Sequence, residues 1–266
     1  MNLTRPLMGA LLAALAVSAC AQDLVLERLE QSPRHHEWID VASGERTVRC
    51  FVAYPEVDQP ASAVLVIHEN RGLTDWVRGV ADRLAEAGHI AIAPDLLSGM
   101  GPEGGNTAAF ASQDAATQAI YALDPDQVTA DLRAVADHVI ALPACNGTLS
   151  VAGFCWGGGQ SLRFATNRAD LQAAFVFYGS TELTAEDAER IACPIHGFYG
   201  GNDARVTSTV PATAALLEAA GKVLEPVIHE GAGHAFMRTG EAPDASDANR
   251  EARDRAWERW LTVLGE

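Results

Sequence analysis

Near the middle of the chain, Ser150-Val151-Ala152-Gly153-Phe154-Cys155-Trp156-Gly157-Gly158-Gly159 drives a short apolar run into a glycine-flanked cysteine and then opens a helix-like segment. The spacing Gly153-x-Cys155-x-Gly157 is that of a nucleophile elbow with sulfur where serine is usual. Such a turn passes from strand to helix so sharply that a side chain two residues before or after the nucleophile would clash. It leaves the nucleophile near the first amides of a helix, where partial positive charge favours thiolate over thiol. Cys155 is therefore a candidate nucleophile. Taken alone, the motif fits a small buried cysteine before a glycine-rich turn equally well, since free cysteine is among the most buried residue types. Partners elsewhere in the chain must decide.

The flanking pattern belongs to an α/β chain. Thr47 to Tyr54 alternates like a strand with one covered face, and Ala63-Val64-Leu65-Val66-Ile67-His68 reads as a strand buried on both faces. A helix is expected from about Asp75 to Ala87, stopped by Gly88, and Ile90 to Ala93 is the next buried strand. This βαβ alternation predicts a mostly parallel sheet with helices on both faces. Further helices are expected over Asp126 to Leu142, Gly157 to Thr166, Val210 to Ala220 and Ala248 to Leu264, and further strands over Ala173 to Gly179, Ile195 to Gly200 and Val223 to His229. Ser98 to Gln113 carries no period and reads as a functional rim or lid loop or as a plain surface loop. With 266 residues, 48% of them hydrophobic, and neither a repeat nor a linker, one domain over residues 44–266 is expected, after a polar N-terminal segment over 20–43.

Residues 1–19 read as a signal peptide, because Leu7 to Val17 is an apolar run too short to span a bilayer comfortably. Two processing sites compete. Val17-Ser18-Ala19-Cys20 matches a lipobox, which would lipidate Cys20, and Ala19-Cys20-Ala21 matches an A-x-A site that would release a soluble protein beginning at Gln22. Both imply export, as a periplasmic protein or a membrane-anchored lipoprotein with no other membrane attachment. Acidic residues outnumber basic ones 35 to 19, for a net charge of -16, which argues against binding nucleic acid or an anionic membrane surface through general electrostatics. Cys50, Cys145, Cys155 and Cys193 remain for the mature chain; an even count permits disulfides in an oxidising compartment, and nothing in their spacing assigns a pair. No Cys/His cluster has metal-ligand spacing, so no metal is expected.

Parallel sheets present reactive groups just beyond the carboxyl ends of their strands. Asp203 follows one apolar run, in Gly200-Gly201-Asn202-Asp203, and His234 follows the next, in Glu230-Gly231-Ala232-Gly233-His234. The chain order Cys, Asp, His is that of the α/β-hydrolases. In that reading His234 is general base and acid, and Asp203 fixes its tautomer.

At these residues the chain resembles the dienelactone hydrolase family, the cysteine branch of the α/β-hydrolases. The carriers are Val66-Ile67-His68-Glu69-Asn70-Arg71-Gly72, Ala93-Pro94-Asp95-Leu96, Gly153-Phe154-Cys155-Trp156-Gly157-Gly158, Gly200-Gly201-Asn202-Asp203 and Gly233-His234-Ala235-Phe236. The resemblance implies an α/β-hydrolase fold and a Cys155-Asp203-His234 triad. It implies that Glu69 stands beside the thiol, holding the resting cysteine until substrate arrives, and that Arg238 binds a substrate carboxylate. The family's second carboxylate-binding arginine is missing after Pro94-Asp95-Leu96, which leaves Arg71 as a substitute or a structural residue. The elbow geometry assigns the oxyanion hole to the backbone amides of Asn70 and Trp156. The expected protein is a monomeric hydrolase of a small, carboxylate-bearing ester or lactone, working through a thioester acyl-enzyme and needing no cofactor. The rival readings are a non-catalytic binding protein on the same fold and a redox role for Cys155.

Overall fold

The computed structural model describes residues 25–265, so the expected signal peptide and Cys20 lie outside the described residues. The strands are β1 (His36–Ser43), β2 (Arg46–Ala53), β3 (Ala61–Ile67), β4 (Ile90–Pro94), β5 (Cys145–Phe154), β6 (Leu171–Phe177), β7 (Ile195–Gly200) and β8 (Leu224–His229). They form one sheet in the order β1-β2-β4-β3-β5-β6-β7-β8. β1, β2 and β4 pair antiparallel, and every pairing from β4 through β3 to β8 is parallel. The helices are α1 (residues 25–31), α2 (Asp75–Glu86), α3 (Gln113–Tyr121), α4 (Pro125–Ile140), α5 (Trp156–Ala165), α6 (Ala185–Arg190), α7 (Ala204–Thr207), α8 (Val210–Ala219), α9 (Phe236–Thr239) and α10 (Asp247–Leu264).

The β-branched runs of β3 and β4 are buried on both faces, as a central parallel strand requires. On one face α4, α5 and α8 bring Val128, Leu132, Val135, Val139, Leu162 and Leu217 onto the sheet. On the other, α2 and α10 bring Val77, Val80, Leu84, Trp257 and Trp260. Phe154, Phe177 and Phe198 occupy one row of register at the carboxyl ends of β5, β6 and β7. Their rings stack at centroid distances of 4.7 and 4.5 Å, an apolar floor directly beneath the loops that follow these strands. The sheet order reverses between β3 and β5, because the chain leaves β3 for β4 on one side and later enters β5 on the other. Ligand sites in parallel sheets form at such a reversal.

The N-terminal segment read as polar contains β1 and α1. Its strand pattern is hidden because β1 is an edge strand that buries only Val41 and Ser43 fully. α1 adds Val25 and Leu29 to the α2/α10 core. The stretch read as a long loop holds two 3-10 turns, Pro102–Gly104 and Thr107–Ala109. Asp95, at the exit of β4, ties it down by accepting bonds from Leu97 N, Thr107 N and Thr107 Oγ1. Beyond it, α3 forms a small separate apolar cluster from Leu97, Ala116 and Ile120, against which Trp156 packs.

One carboxylate joins the N-terminal segment to the domain. Asp82, on α2, accepts bonds from Ser32 Oγ at 2.6 Å, from Arg34 Nε and Nη2 at 2.8 Å each, and from His36 Nε2 at 2.7 Å. Burial raises its pKa, but these partners outweigh burial and hold it below the usual 3.8. Asp82→Ala strips a largely buried guanidinium of its partner, so a loss of about 3 kcal/mol is expected in urea unfolding. With a depressed folded pKa, the Asp82 contribution is complete above pH 3.8 and disappears as the pH falls through the lower folded value.

Candidate active site

β5 ends and α5 begins across a single residue, Cys155, which adopts φ 54° and ψ -116°. A non-glycine residue held there costs on the order of 1–3 kcal/mol, so the surroundings must enforce it. The Cys155 N–H donates to Phe177 O at 3.0 Å, and its carbonyl accepts from Gly158 N at 3.0 Å. A Cβ on Gly157 would lie 2.3 Å from His68 O and 2.5 Å from Ile67 O, and one on Gly153 would lie 1.9 Å from Gly157 O. The two glycines thus let the elbow close against itself and against the exit of β3.

Two further strand exits complete the arrangement. Asp203 precedes α7, and its backbone carbonyl accepts from Val206 N and Thr207 N, leaving its side chain free to leave the turn. The loop after β8 is tied to the loop after β7 by Asn202, whose N–H donates to Ala232 O and whose Nδ2 donates to Gly231 O, both at 2.9 Å. Asn249 Oδ1 accepts from Gly233 N. These bonds present His234 between the other two side chains: Nδ1 lies 2.5 Å from Asp203 Oδ2, and Nε2 lies 3.2 Å from Cys155 Sγ. Burial lowers the His234 pKa, but the bonds to Cys155 and Asp203 prevail and leave it above 6.5.

Glu69 is engaged by Arg238. Its Oε2 accepts from Arg238 Nε at 2.7 Å, whereas the hydrogen-bond partner of the thiol is His234. A buried carboxylate settles on the strongest cationic donor in reach, and that is the guanidinium. Its second oxygen, Oε1, is buried without a partner. Arg71 lies half-buried beside Glu69 and Arg238 and makes no ion pair among the described residues; burial first, and then Arg238, lower its pKa. The amide hydrogens of Asn70 and Trp156 are not used by the turns and caps around them.

Two neighbours of the site escaped the sequence reading. His68 is fully buried, with Nδ1–H donating to Glu69 O at 2.7 Å and Nε2 accepting from Leu96 N at 3.3 Å. Its ring stacks on Trp156 at 5.6 Å, steadying the residue after Cys155. Tyr178, at φ 40°, lies edge-on to the His234 ring at 5.2 Å, and its hydroxyl is buried without a partner. Both read as the last members of apolar runs, so periodicity places them in strands and says nothing of their role.

Residues 48–266 match the model of the Dienelactone hydrolase family. The Escherichia coli (strain K12) protein named "Putative carboxymethylenebutenolidase" is 31% identical over 219 residues, which cover 77% of this chain and 76% of that one. The chain belongs to the dienelactone hydrolase family. Among solved structures, a "Putative Dienelactone Hydrolase" from Klebsiella pneumoniae superposes with a TM-score of 0.76 at 26% identity, covering 88% of this chain and 99% of the other. A dienelactone hydrolase from Anabaena variabilis, at 19% identity and a TM-score of 0.65 over 86% and 97% of the two chains, agrees with it in fold. The fold is thus that of the α/β-hydrolases and the protein is a hydrolase of the dienelactone hydrolase family.

Two other features bear on its chemistry. No group of three or more His, Cys, Asp or Glu side chains among the described residues could hold a metal ion. Cys50, Cys145, Cys155 and Cys193 are all free, and burial pushes the Cys193 thiol up to about 11 and that of Cys50 higher still. Neither buried thiol is suited to resolving an oxidised Cys155.

Gly157→Ala forces a methyl group into two backbone carbonyls, so a loss of about 2–3 kcal/mol in thermal unfolding is expected, together with an altered near-ultraviolet signal from Trp156. Asp203→Asn is expected to lower the His234 pKa, read by NMR titration of the imidazole. In the intact protein the His234 proton contributes stability fully below about pH 6.5, and that contribution is lost as the pH rises through the higher folded value. An unchanged titration in Asp203→Asn would contradict the assigned hydrogen bond.

Proposed function

We propose that the protein cleaves a small carboxylate-bearing ester or lactone by nucleophilic catalysis at Cys155. The observation that carries this reading is the continuous chain of contacts from Cys155 Sγ through the two ring nitrogens of His234 to Asp203 Oδ2. His234 Nε2 takes the thiol proton as sulfur attacks the carbonyl carbon, and Asp203 holds Nδ1–H and stabilises the imidazolium. The negative charge that develops on the carbonyl oxygen is received by the Asn70 and Trp156 amides. As the carbon–oxygen bond breaks, His234 returns the proton to the leaving alkoxide, leaving a thioester on Cys155. His234 then removes a proton from water, whose oxygen attacks the thioester and releases the acid and the thiol.

Arg238 and Arg71 supply the cationic recognition that a carboxylate needs on so acidic a chain. In the arrangement without substrate, Glu69 occupies Arg238 Nε. A substrate carboxylate competes with Glu69 for that guanidinium, so binding at Arg238 is coupled to movement of a carboxylate on the loop that carries Asn70. We place the enzyme outside the cytoplasm, on the strength of the apolar segment at residues 7–17.

Cys155→Ala is expected to reduce hydrolysis of small activated esters by at least about 10³-fold while leaving the far-ultraviolet circular dichroism unchanged. Wild-type rates in that variant would exclude the mechanism.

A further inference from the structure

Beside the catalytic residues, an open cleft of about 870 Å³ is lined by Arg71 and Arg238 and, from α2 and α10, by Arg83, Asn249 and Arg253. It lies in the upper part of the range for small-molecule sites, so a small ester gripped at Arg71 and Arg238 alone would leave much of it unfilled. The rest of the lining is not neutral. Arg83 projects from α2 with its guanidinium 4.3 Å from the centre of the Trp257 ring. It is half-buried and makes no ion pair or hydrogen bond among the described residues. Burial, with nearby Arg253, holds its pKa below the ordinary value despite Glu241, Asp254 and Glu86 in the vicinity.

The acids that line the cleft are engaged or exposed. Glu241 pairs with Arg28 at 3.2 Å, and Asp254 pairs with Arg253 at 2.7 Å. Glu27 accepts from Gln31, and Asp244 is exposed. Arg71 and Arg83 are therefore the unpaired cations of the cleft, and their charged neighbours differ: Arg238 and Glu69 act on Arg71, whereas Glu241, Arg253 and Asp254 act on Arg83. A half-buried guanidinium without an acceptor is unfavourable until an anion supplies one, and its planar donor fork suits a carboxylate.

From this placement we infer that the cleft binds an elongated dianion, with one carboxylate at Arg71 and Arg238 and a second at Arg83 over Trp257. The inference rests on the assignment of Arg71 and Arg238 to substrate recognition and narrows the substrate class to esters or lactones bearing a remote second carboxylate. Such a substrate carries two free carboxylates besides the ester or lactone that is cleaved, so a reaction that attaches or closes an ester on a dicarboxylate must supply it.

The test is calorimetric and does not depend on hydrolysis. Straight-chain diacids from succinate to sebacate are titrated into the wild-type protein, each against its own monoamide, which keeps the length and removes one charge. Short diacids are expected to match their monoamides, and those long enough to reach Arg83 are expected to bind at least about tenfold more tightly. Arg83→Gln should erase that advantage and Arg83→Lys should keep most of it, with melting temperature as the control for folding. A series in which no diacid exceeds its monoamide, or an advantage that survives Arg83→Gln, overturns the inference. Because the readout is equilibrium binding, an inactive Cys155 would not mimic either result. Conversely, an active esterase with no preference for diacids would remove this inference alone.

Discussion

The first turn of α5 passes so close to the carbonyl oxygens of Ile67 and His68 that position 157 has no room for a Cβ. That contact holds together the turn that carries Cys155 and the loop that carries Glu69, Asn70 and Arg71. It brings the Trp156 amide and the loop after β3 onto one side of the thiol, the condition for two backbone donors to share one oxyanion. The left-handed backbone at Cys155 is a local cost of order 1–3 kcal/mol. Phe154, the residue before Cys155, and Phe177, whose carbonyl accepts from the Cys155 N–H, are fully buried and each contribute about 1.5–3 kcal/mol, enough to offset that cost.

Electrostatics at the site follow from scarcity of positive charge. In a chain with 35 acidic and 19 basic residues, the cations near the thiol are few and nearly all arginine. Arg238 takes the buried Glu69 as its resting partner, and coulombic attraction within that pair keeps the Arg238 pKa raised although burial alone would lower it. Arg71 keeps no such partner. The protein therefore holds one satisfied and one unsatisfied guanidinium near the thiol. His234 is governed by the same economy of charge: burial alone would lower its pKa, and Cys155 on one side and Asp203 on the other raise it.

Much of this architecture is legible in the residue pattern because strong apolar periodicity and glycine punctuation coincide. The runs of β3, β5, β6 and β7 end in chemically distinctive residues, so strand exits and candidate groups are found together. Two kinds of feature are not legible. β1 is an edge strand with a mostly exposed face, so its sequence His36 to Ser43 lacks the apolar signal of a buried strand. Contacts between residues distant in the chain, such as Glu69 with Arg238 across 169 positions, depend on side-chain reach within the assembled site and leave no periodic trace. For the same reason the sequence does not announce the Glu69–Arg238 ion pair, and His68 and Tyr178 pass as strand residues.

The central claim is that sulfur at position 155 carries the acyl group. Acid-quenching the protein during turnover of a p-nitrophenyl ester, followed by peptide mass mapping, tests it most directly. The account predicts an acyl mass added to the peptide containing Cys155, labile to hydroxylamine as a thioester is. Steady turnover with an unmodified Cys155 peptide, or an acyl mass on a serine elsewhere in the chain, would contradict it.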